Sequence, residues 1–219
     1  MDLKDFKTIA SQLRKPHGDQ GTEVGKMMNK GNRLMNLAAI EQLNVELKDN
    51  ILEIGMGNGI FVRDILEKDR SIRYTGCDFS ETMIREAIIN NRDFIKSGQA
   101  SFIKANFKRL PIKNASFNKI LTVNTIYFWE QTENVLAEIR RVLAKDGLLV
   151  ICLRPKSVLD NLPITQHGFK TFTKQNCIDL LVNGGFHEII VDEKEDVEIE
   201  LSGEKYKNAY LLVRAVRIK

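Results

Sequence analysis

The chain has 219 residues, and its 33 lysines and arginines against 29 aspartates and glutamates give a net charge of +4. This length fits one α/β domain with an appendage, and 43% hydrophobic with 28% charged residues excludes a wholly disordered chain. The small positive excess does not by itself indicate a nucleic-acid-binding protein.

The cysteines and the N-terminus indicate a reduced, cytoplasmic protein. The three cysteines form no CxxC pair, so we predict neither a metal site nor a redox site. The N-terminus lacks the apolar stretch of a signal peptide. No run reaches the ~20 apolar residues that a membrane span needs, so we expect no membrane association.

The first 47 residues differ in pattern from the rest of the chain. Their composition predicts a short helix over 3–13, a turn-rich break over 15–21 and a longer helix over 27–47. A helix rich in Gly, Asn and Met suits a cover that orders over a cleft when a ligand binds. We therefore predict a helical lid (1–47) on a domain that spans 48–219.

The middle of the chain alternates short apolar runs with stretches of helical periodicity. This alternation predicts βαβ units and a parallel sheet that helices cover on both faces. The predicted strands are 50–55, 71–77, 100–105, 117–123 and 148–153, and the predicted helices are 60–68, 80–95 and 130–144.

The last part of the chain breaks this alternation. A helix over 173–183 is followed by two apolar runs, 186–191 and 209–216, with an acidic connector and no helical pattern between them. Two consecutive strands without a crossover helix pair as antiparallel neighbours. We therefore predict a hairpin at one edge of the sheet.

The most informative stretch lies between the first predicted strand and the next helix. It reads Glu53-Ile-Gly-Met-Gly-Asn-Gly, with glycines at 55, 57 and 59. Glycine permits a sharp turn and lets a ligand approach the backbone where a Cβ would clash. A helix that begins at Ile60 would direct its N-terminal amides at the same point, which favours a carboxylate or a phosphate.

An acidic residue ends the second predicted strand. Asp78 follows Gly55 by 23 residues and can accept hydrogen bonds from a ribose diol. Both features occur in two cofactor classes, but a dinucleotide site has the pattern GxGxxG, and here the third glycine comes one residue early. Glu53 suits an ammonium group, so the loop favours a ligand with an amino-acid end.

With these motifs, residues 45–215 resemble the class I S-adenosylmethionine-dependent methyltransferases, of the small-molecule "methyltransferase type 11" kind. The resemblance implies a Rossmann-like three-layer α/β sandwich with a mostly parallel seven-stranded sheet of order 3-2-1-4-5-7-6. It also implies S-adenosylmethionine as the cofactor. Asn106 stands where the family commonly has an aspartate near the adenine. The implied cofactor-binding residues are Glu53, Gly55, Met56, Gly57, Asp78, Phe79, Asn106, Phe107 and Asn124.

The segment after the fourth predicted strand is dense in aromatic residues. The resemblance implies that Asn124 and Tyr127 lie nearest to the transferred methyl group. Tyr127, Phe128 and Trp129 form either a wall for the methyl acceptor or a patch of the core. His17, in the turn-rich break, is a candidate general base or an ordinary loop histidine.

We expect in-line transfer of the methyl group to a small molecule. The segment is not the Asp/Asn-Pro-Pro-Tyr/Phe motif with which the family methylates nucleic-acid bases, so we do not expect a nucleic-acid partner. The alternatives are an RNA methyltransferase, an NAD(P)-dependent oxidoreductase and a non-catalytic S-adenosylmethionine-binding protein. The sequence leaves the acceptor and the oligomeric state open.

Overall fold

A computed structural model describes residues 5–201 and 203–218, and its strands form one sheet in the order β3-β2-β1-β4-β5-β7-β6. Strands β1 to β5 are parallel, and β7 is antiparallel to both β5 and β6. This topology confirms the predicted Rossmann-like fold. The strands are β1 (Asn50–Ile54), β2 (Arg73–Asp78), β3 (Ala100–Lys104), β4 (Phe117–Val123), β5 (Leu143–Leu153), β6 (Phe186–Leu201) and β7 (Glu204–Arg217).

Helices cover both faces of the sheet. Helices α3 and α4 contribute to the apolar core on one face, and α7 and α9 contribute to the core on the other. Among the described residues, no helix is long and apolar enough to span a membrane. The helices are α1 (Phe6–Arg14), α2 (Gly18–Gly31), α3 (Arg33–Gln42), α4 (Val62–Leu66), α5 (Glu81–Asn90), α6 (Arg92–Lys96), α7 (Thr132–Val142), α8 (Lys156–Leu159) and α9 (Lys174–Asn183).

Two helices are shorter than the sequence predicts. The helix predicted over 60–68 is only the five-residue α4, because residues 60 and 61 still belong to a turn in which the Val62 amide donates a hydrogen bond of 3.3 Å to the Gly59 carbonyl oxygen. The helix predicted over 80–95 is broken at Asn91, whose side chain donates hydrogen bonds to two carbonyl oxygens. A five-residue helix has too few aligned peptides to supply the dipole expected at the glycine loop.

The N-terminal segment also differs from the prediction. The break expected over 15–21 is short, because α2 already begins at Gly18. Residues 1–4 of the predicted lid lie outside the described residues. Helix α3 belongs to the core as well as to the predicted lid, since its residues Met35 and Ala39, and Leu43 directly after it, are fully buried against the sheet.

The acidic connector predicted between the last two strands is itself strand. Pairing of β6 with β7 continues from Asp192 with Leu212 to Leu201 with Glu204, with a register shift between Asp196 and Ile199. The pattern of apolar residues does not predict this part of β6 because its residues are mostly acidic. Strand β6 lies at the edge of the sheet and pairs on one side only, so charged side chains are compatible with it.

Candidate active site

A cavity of about 580 Å³ opens at the carboxyl ends of β1, β2, β3 and β4. Strand β1 pairs with β2 on one side and β4 on the other, so the cavity lies where the strand order changes direction, the usual ligand position in open α/β sheets. The N-terminal helices cover it with Gly25, Met28, Asn29 and Asn36. Nine of the predicted site residues line the cavity, namely Glu53, Gly55, Met56, Gly57, Asp78, Phe79, Asn106, Phe107 and Asn124.

Two glycines of the loop after β1 serve different purposes. Gly55 has φ 73°, and a Cβ there would lie 2.2 Å from Cγ2 of Thr125, so the loop packs directly on the end of β4. Gly57 has φ 59°, and a Cβ there would meet no atom within 4 Å. The first glycine therefore permits close packing, and the second leaves backbone open beside the cavity.

Asp78 holds this loop in place from the end of β2. The carboxylate is 6% exposed and accepts hydrogen bonds from the backbone amides of Ser80 at 2.8 Å and Gly57 at 3.2 Å. Burial raises the pKa of Asp78 to about 6, although these amide bonds oppose the shift. Each carboxylate oxygen has a further lone pair, so the predicted ribose contact is compatible with the loop contacts.

Glu53 is a second buried carboxyl group in the same cavity. It is 4% exposed, and the hydroxyl of Tyr74 donates a hydrogen bond of 2.6 Å to its Oε2 atom. Burial, together with the charge of Asp78, raises the pKa of Glu53 to about 7. Neither carboxylate forms an ion pair with another described residue. The pair fits a ligand that brings a positive charge.

Asn124 lines the cavity in a left-handed conformation, with φ 56°. Its side chain accepts a hydrogen bond from the Tyr127 hydroxyl at 2.7 Å and donates to the sulfur of Met35 at 3.4 Å. Tyr127 is 3% exposed and is not part of the cavity lining. The structure therefore places Asn124 at the site, whereas Tyr127 contacts the site through Asn124.

Two aromatic rings of the cavity lining contact each other. Phe79 and Phe107 make an edge-to-face contact with their ring centroids 5.8 Å apart. The Oδ1 atom of Asn106 accepts a hydrogen bond from the backbone amide of Lys108 at 3.0 Å. The adenine contact expected for Asn106 would share this oxygen with that local turn.

His17 does not join the other predicted residues. Its side chain is exposed and does not line the cavity. One ring nitrogen lies 3.1 Å from the carbonyl oxygen of Lys15, and the other lies 3.4 Å from the side-chain nitrogen of Gln12. These contacts fix the turn between α1 and α2.

Two cavity residues carry buried polar atoms that have no hydrogen-bond partner among the described residues. They are Oδ1 of Asn58 and Nε1 of Trp129. In the sequence, the aromatic density after β4 indicates Trp129 as a candidate site residue. Nothing in the sequence indicates Asn58, because the spacing of glycines does not predict which way an intervening side chain points. The described residues contain no group of three or more His, Cys, Asp or Glu side chains arranged to hold a metal.

Comparison with known proteins relates this geometry to a family. Residues 52–151 match the family model described as "Methyltransferase domain". The uncharacterized methyltransferase YdaC of Bacillus subtilis (strain 168) is 26% identical over 179 residues, which cover 82% of this chain and 93% of YdaC.

Solved structures share the fold. The Haloferax volcanii protein solved in complex with the Trm112 methyltransferase activator superposes with a TM-score of 0.77 at 18% identity, covering 98% of both chains. Phosphoethanolamine N-methyltransferase 2 of Haemonchus contortus, in complex with phosphomonomethylethanolamine and S-adenosylhomocysteine, gives a TM-score of 0.76 at 13% identity. It covers 98% of this chain and 61% of that one.

Proposed function

Since the chain belongs to the class I S-adenosylmethionine-dependent methyltransferases, we propose that it methylates a small-molecule acceptor beneath its N-terminal helices. The observation that carries this proposal is the covered cavity of about 580 Å³. Its volume falls within the range of small-molecule sites. Gly25, Met28 and Asn29 of α2 form its wall on the side of the N-terminal helices.

The residues around the loop after β1 fit the cofactor. Glu53 and Asp78 supply buried negative charge, and Gly57 leaves the backbone accessible. We assign the ribose diol to Asp78 and the amino-acid end to the glycine loop. Bound S-adenosylmethionine supplies an electrophilic sulfonium methyl group.

We propose in-line transfer beside Asn124. The Tyr127 hydroxyl and the Met35 sulfur hold the Asn124 side chain on two sides, so the protein presents a fixed wall at this point. Phe128 and Trp129 add apolar surface that excludes water. Placement and a dry site are the main contributions that a protein makes to a reaction whose donor is already activated.

The described lining of the cavity contains no histidine and no cysteine. Of its carboxyl groups, Glu53 and Asp78 serve the cofactor in this proposal, and Glu130 is exposed and paired with Arg14 and Lys108. We therefore propose an acceptor atom that reacts without a protein base, such as the nitrogen of an amine or a thiolate sulfur.

A labelling experiment tests this function. The protein is incubated with S-adenosylmethionine carrying a radioactive methyl group and a cell extract, which is then separated into small molecules, RNA and protein. We expect label in the small-molecule fraction, and much less with Asp78→Asn as the matched control. Label in RNA would favour the RNA methyltransferase, and donor binding without any transferred label would favour the non-catalytic alternative.

A further inference from the structure

Three asparagines form a row along the N-terminal helices where these line the cavity. Asn29 lies in the last turn of α2, Asn32 is the single residue between α2 and α3, and Asn36 lies in the first turn of α3. Helical residues three or four positions apart lie on the same face. Asparagine is a weak helix former, so helix stability does not explain this asparagine row.

The asparagine row keeps polar atoms open to the cavity. All three side chains are half-buried, and that of Asn29 forms no hydrogen bond with another described residue. Asn32 uses only its Oδ1 atom, which accepts from Arg154 at 3.4 Å, and Asn36 uses only its Nδ2 atom, which donates to the Asn32 carbonyl oxygen at 2.8 Å. None of the remaining amide atoms is buried from solvent, so a ligand in the cavity can reach them. They are nitrogen donors of Asn29 and Asn32 and oxygen acceptors of Asn29 and Asn36.

The asparagine row lies beside the proposed transfer point. Met35, in the same first turn of α3, accepts a hydrogen bond of 3.4 Å from the Asn124 side chain. The glycine loop meets an earlier part of α2, since a Cβ built at Gly25 would lie 3.7 Å from the Asn58 side-chain nitrogen. The N-terminal helices therefore contact the donor loop and the transfer point with different residues, and the row belongs to the second contact.

The charged groups nearby are already paired. Arg154, the cation that contacts the row, pairs with Asp196 at 3.3 Å. Arg14 and Lys108, which line the cavity, both pair with Glu130, at 2.7 Å and 2.8 Å. Uncharged amides with free donors and acceptors therefore suit an uncharged group that offers both in return, such as a carboxamide.

We propose that the asparagine row binds an uncharged polar end of the methyl acceptor, a carboxamide or a similar group with a donor beside an acceptor. This inference rests on the proposed function and names the substrate class for it. Phe128 and Trp129 supply apolar surface for the rest of the molecule. Such a site rejects an analogue without the polar group, because its amides then lose water without gaining a partner.

Four benzene derivatives of similar size test this assignment because they differ in one substituent. Benzamide is neutral with a donor and an acceptor, benzoate is an anion, benzylamine is a cation at neutral pH, and toluene has no polar group. Saturation-transfer NMR gives their Kd values for the full chain with excess S-adenosylhomocysteine in the donor site. We expect benzamide to bind tightest. In Asn29→Leu we expect benzamide to weaken about threefold to tenfold and toluene to stay within about twofold.

Matched variants separate the amide chemistry from the fold. Asn29→Gln keeps the amide and should still prefer benzamide to toluene, and both leucine and glutamine form helices more readily than asparagine. Asn36→Leu removes the other acceptor of the row and should also weaken benzamide. Asn134→Leu, at an exposed position of α7 that does not line the cavity, should leave all four Kd values unchanged.

Three results would overturn the inference. They are tightest binding of another of the four compounds by the wild type, equal effects of Asn29→Leu and Asn134→Leu on benzamide, and a tenfold loss of S-adenosylhomocysteine affinity in Asn29→Leu, which would assign the row to the donor. The NMR measurement needs no turnover, so it decides the inference separately from the labelling experiment, whose failure would refute the proposed function.

Discussion

The Tyr127 hydroxyl joins two segments that follow neighbouring strands. It donates a hydrogen bond of 2.7 Å to Oδ1 of Asn124, after β4, and accepts one from the backbone amide of Arg154, after β5. Burial raises the pKa of Tyr127 above its ordinary value, so the hydroxyl stays protonated and can act as the donor. Tyr127 is thereby a positioning residue for Asn124.

Removing this hydroxyl should destabilise the protein. In Tyr127→Phe the buried amide of Arg154 loses its acceptor, and we expect a loss of about 1–3 kcal/mol in the free energy of unfolding, measured by urea denaturation. The phenylalanine keeps the ring contact with Phe169, whose centroid lies 5.8 Å away. An unchanged midpoint would show that the hydroxyl contributes nothing to this junction.

Gly55 and Gly57 should respond differently to alanine. Gly55→Ala brings a methyl group into Thr125, so we expect a loss of more than about 2 kcal/mol of stability, with partial rescue by Thr125→Ser. Gly57→Ala costs only backbone strain, about 1 kcal/mol. Its added methyl group would nevertheless occupy the open space beside the loop backbone, where the ligand is proposed to bind. We expect it to weaken S-adenosylhomocysteine more than it lowers the melting temperature, and equal stability of the two variants would contradict this.

Binding of S-adenosylhomocysteine should depend on pH through Glu53. The pKa of this carboxyl group in the ligand-free protein is about 7, so an incoming ammonium group must displace a proton at lower pH. We expect affinity to fall about tenfold between pH 8 and pH 6. In Glu53→Gln this dependence should be reduced, and 5′-methylthioadenosine, which lacks the ammonium, should show little of it with either protein. A dependence of equal size in Glu53→Gln would exclude Glu53 as its source.

The same group should make the ligand-free protein less stable at high pH. The Glu53 carboxyl ionises near 4.5 ordinarily and near 7 when folded, so its protonated form stabilises the fold fully below about pH 4.5. That contribution is lost as the pH rises through 7. We therefore expect Glu53→Gln to gain about 1–3 kcal/mol relative to the wild type between pH 5 and pH 8, measured by urea denaturation. A constant difference between the two proteins would contradict the shift.

Arg154 should control how firmly the N-terminal helices are attached. Its guanidinium pairs with Asp196 of the hairpin at 3.3 Å and donates to the carbonyl oxygen of Gly31, the last residue of α2, at 3.1 Å. Arg154→Met leaves buried Asp196 without its cation, and we expect a loss of about 3–5 kcal/mol.

Hydrogen exchange locates this effect. In Arg154→Met the amides near Gly31 should exchange faster, while those of β1 stay protected. Adding Asp196→Asn removes the uncompensated charge and should recover part of the stability. Uniformly faster exchange along the chain would indicate global destabilisation instead of a local attachment.

Much of the fold could be predicted because it depends on local patterns. Five parallel strands and the closing hairpin follow from apolar runs, helical periodicity and the absence of a helix pattern near the end. The boundaries were harder to predict, since Asn91 ends α5 only through bonds to carbonyl groups, one of them at the distant Gly59. The length of β6 depends on its pairing with β7, and the acidic residues in this part of the chain do not predict that pairing.

By itself the sequence determined the sheet, the loop from Glu53 to Gly59 and the acid at Asp78, because strand, turn and acid follow one another at short spacings that local chemistry explains. Only the tertiary structure decided which side chains enter the cavity. In the structure Asn124 lines the cavity, Tyr127 contacts Asn124 without lining the cavity, and His17 lies outside it. The structure also shows that the buried Oδ1 atom of Asn58 has no hydrogen-bond partner among the described residues. Burial and the direction of a side chain depend on contacts between distant segments, and the order of residues does not contain those contacts directly.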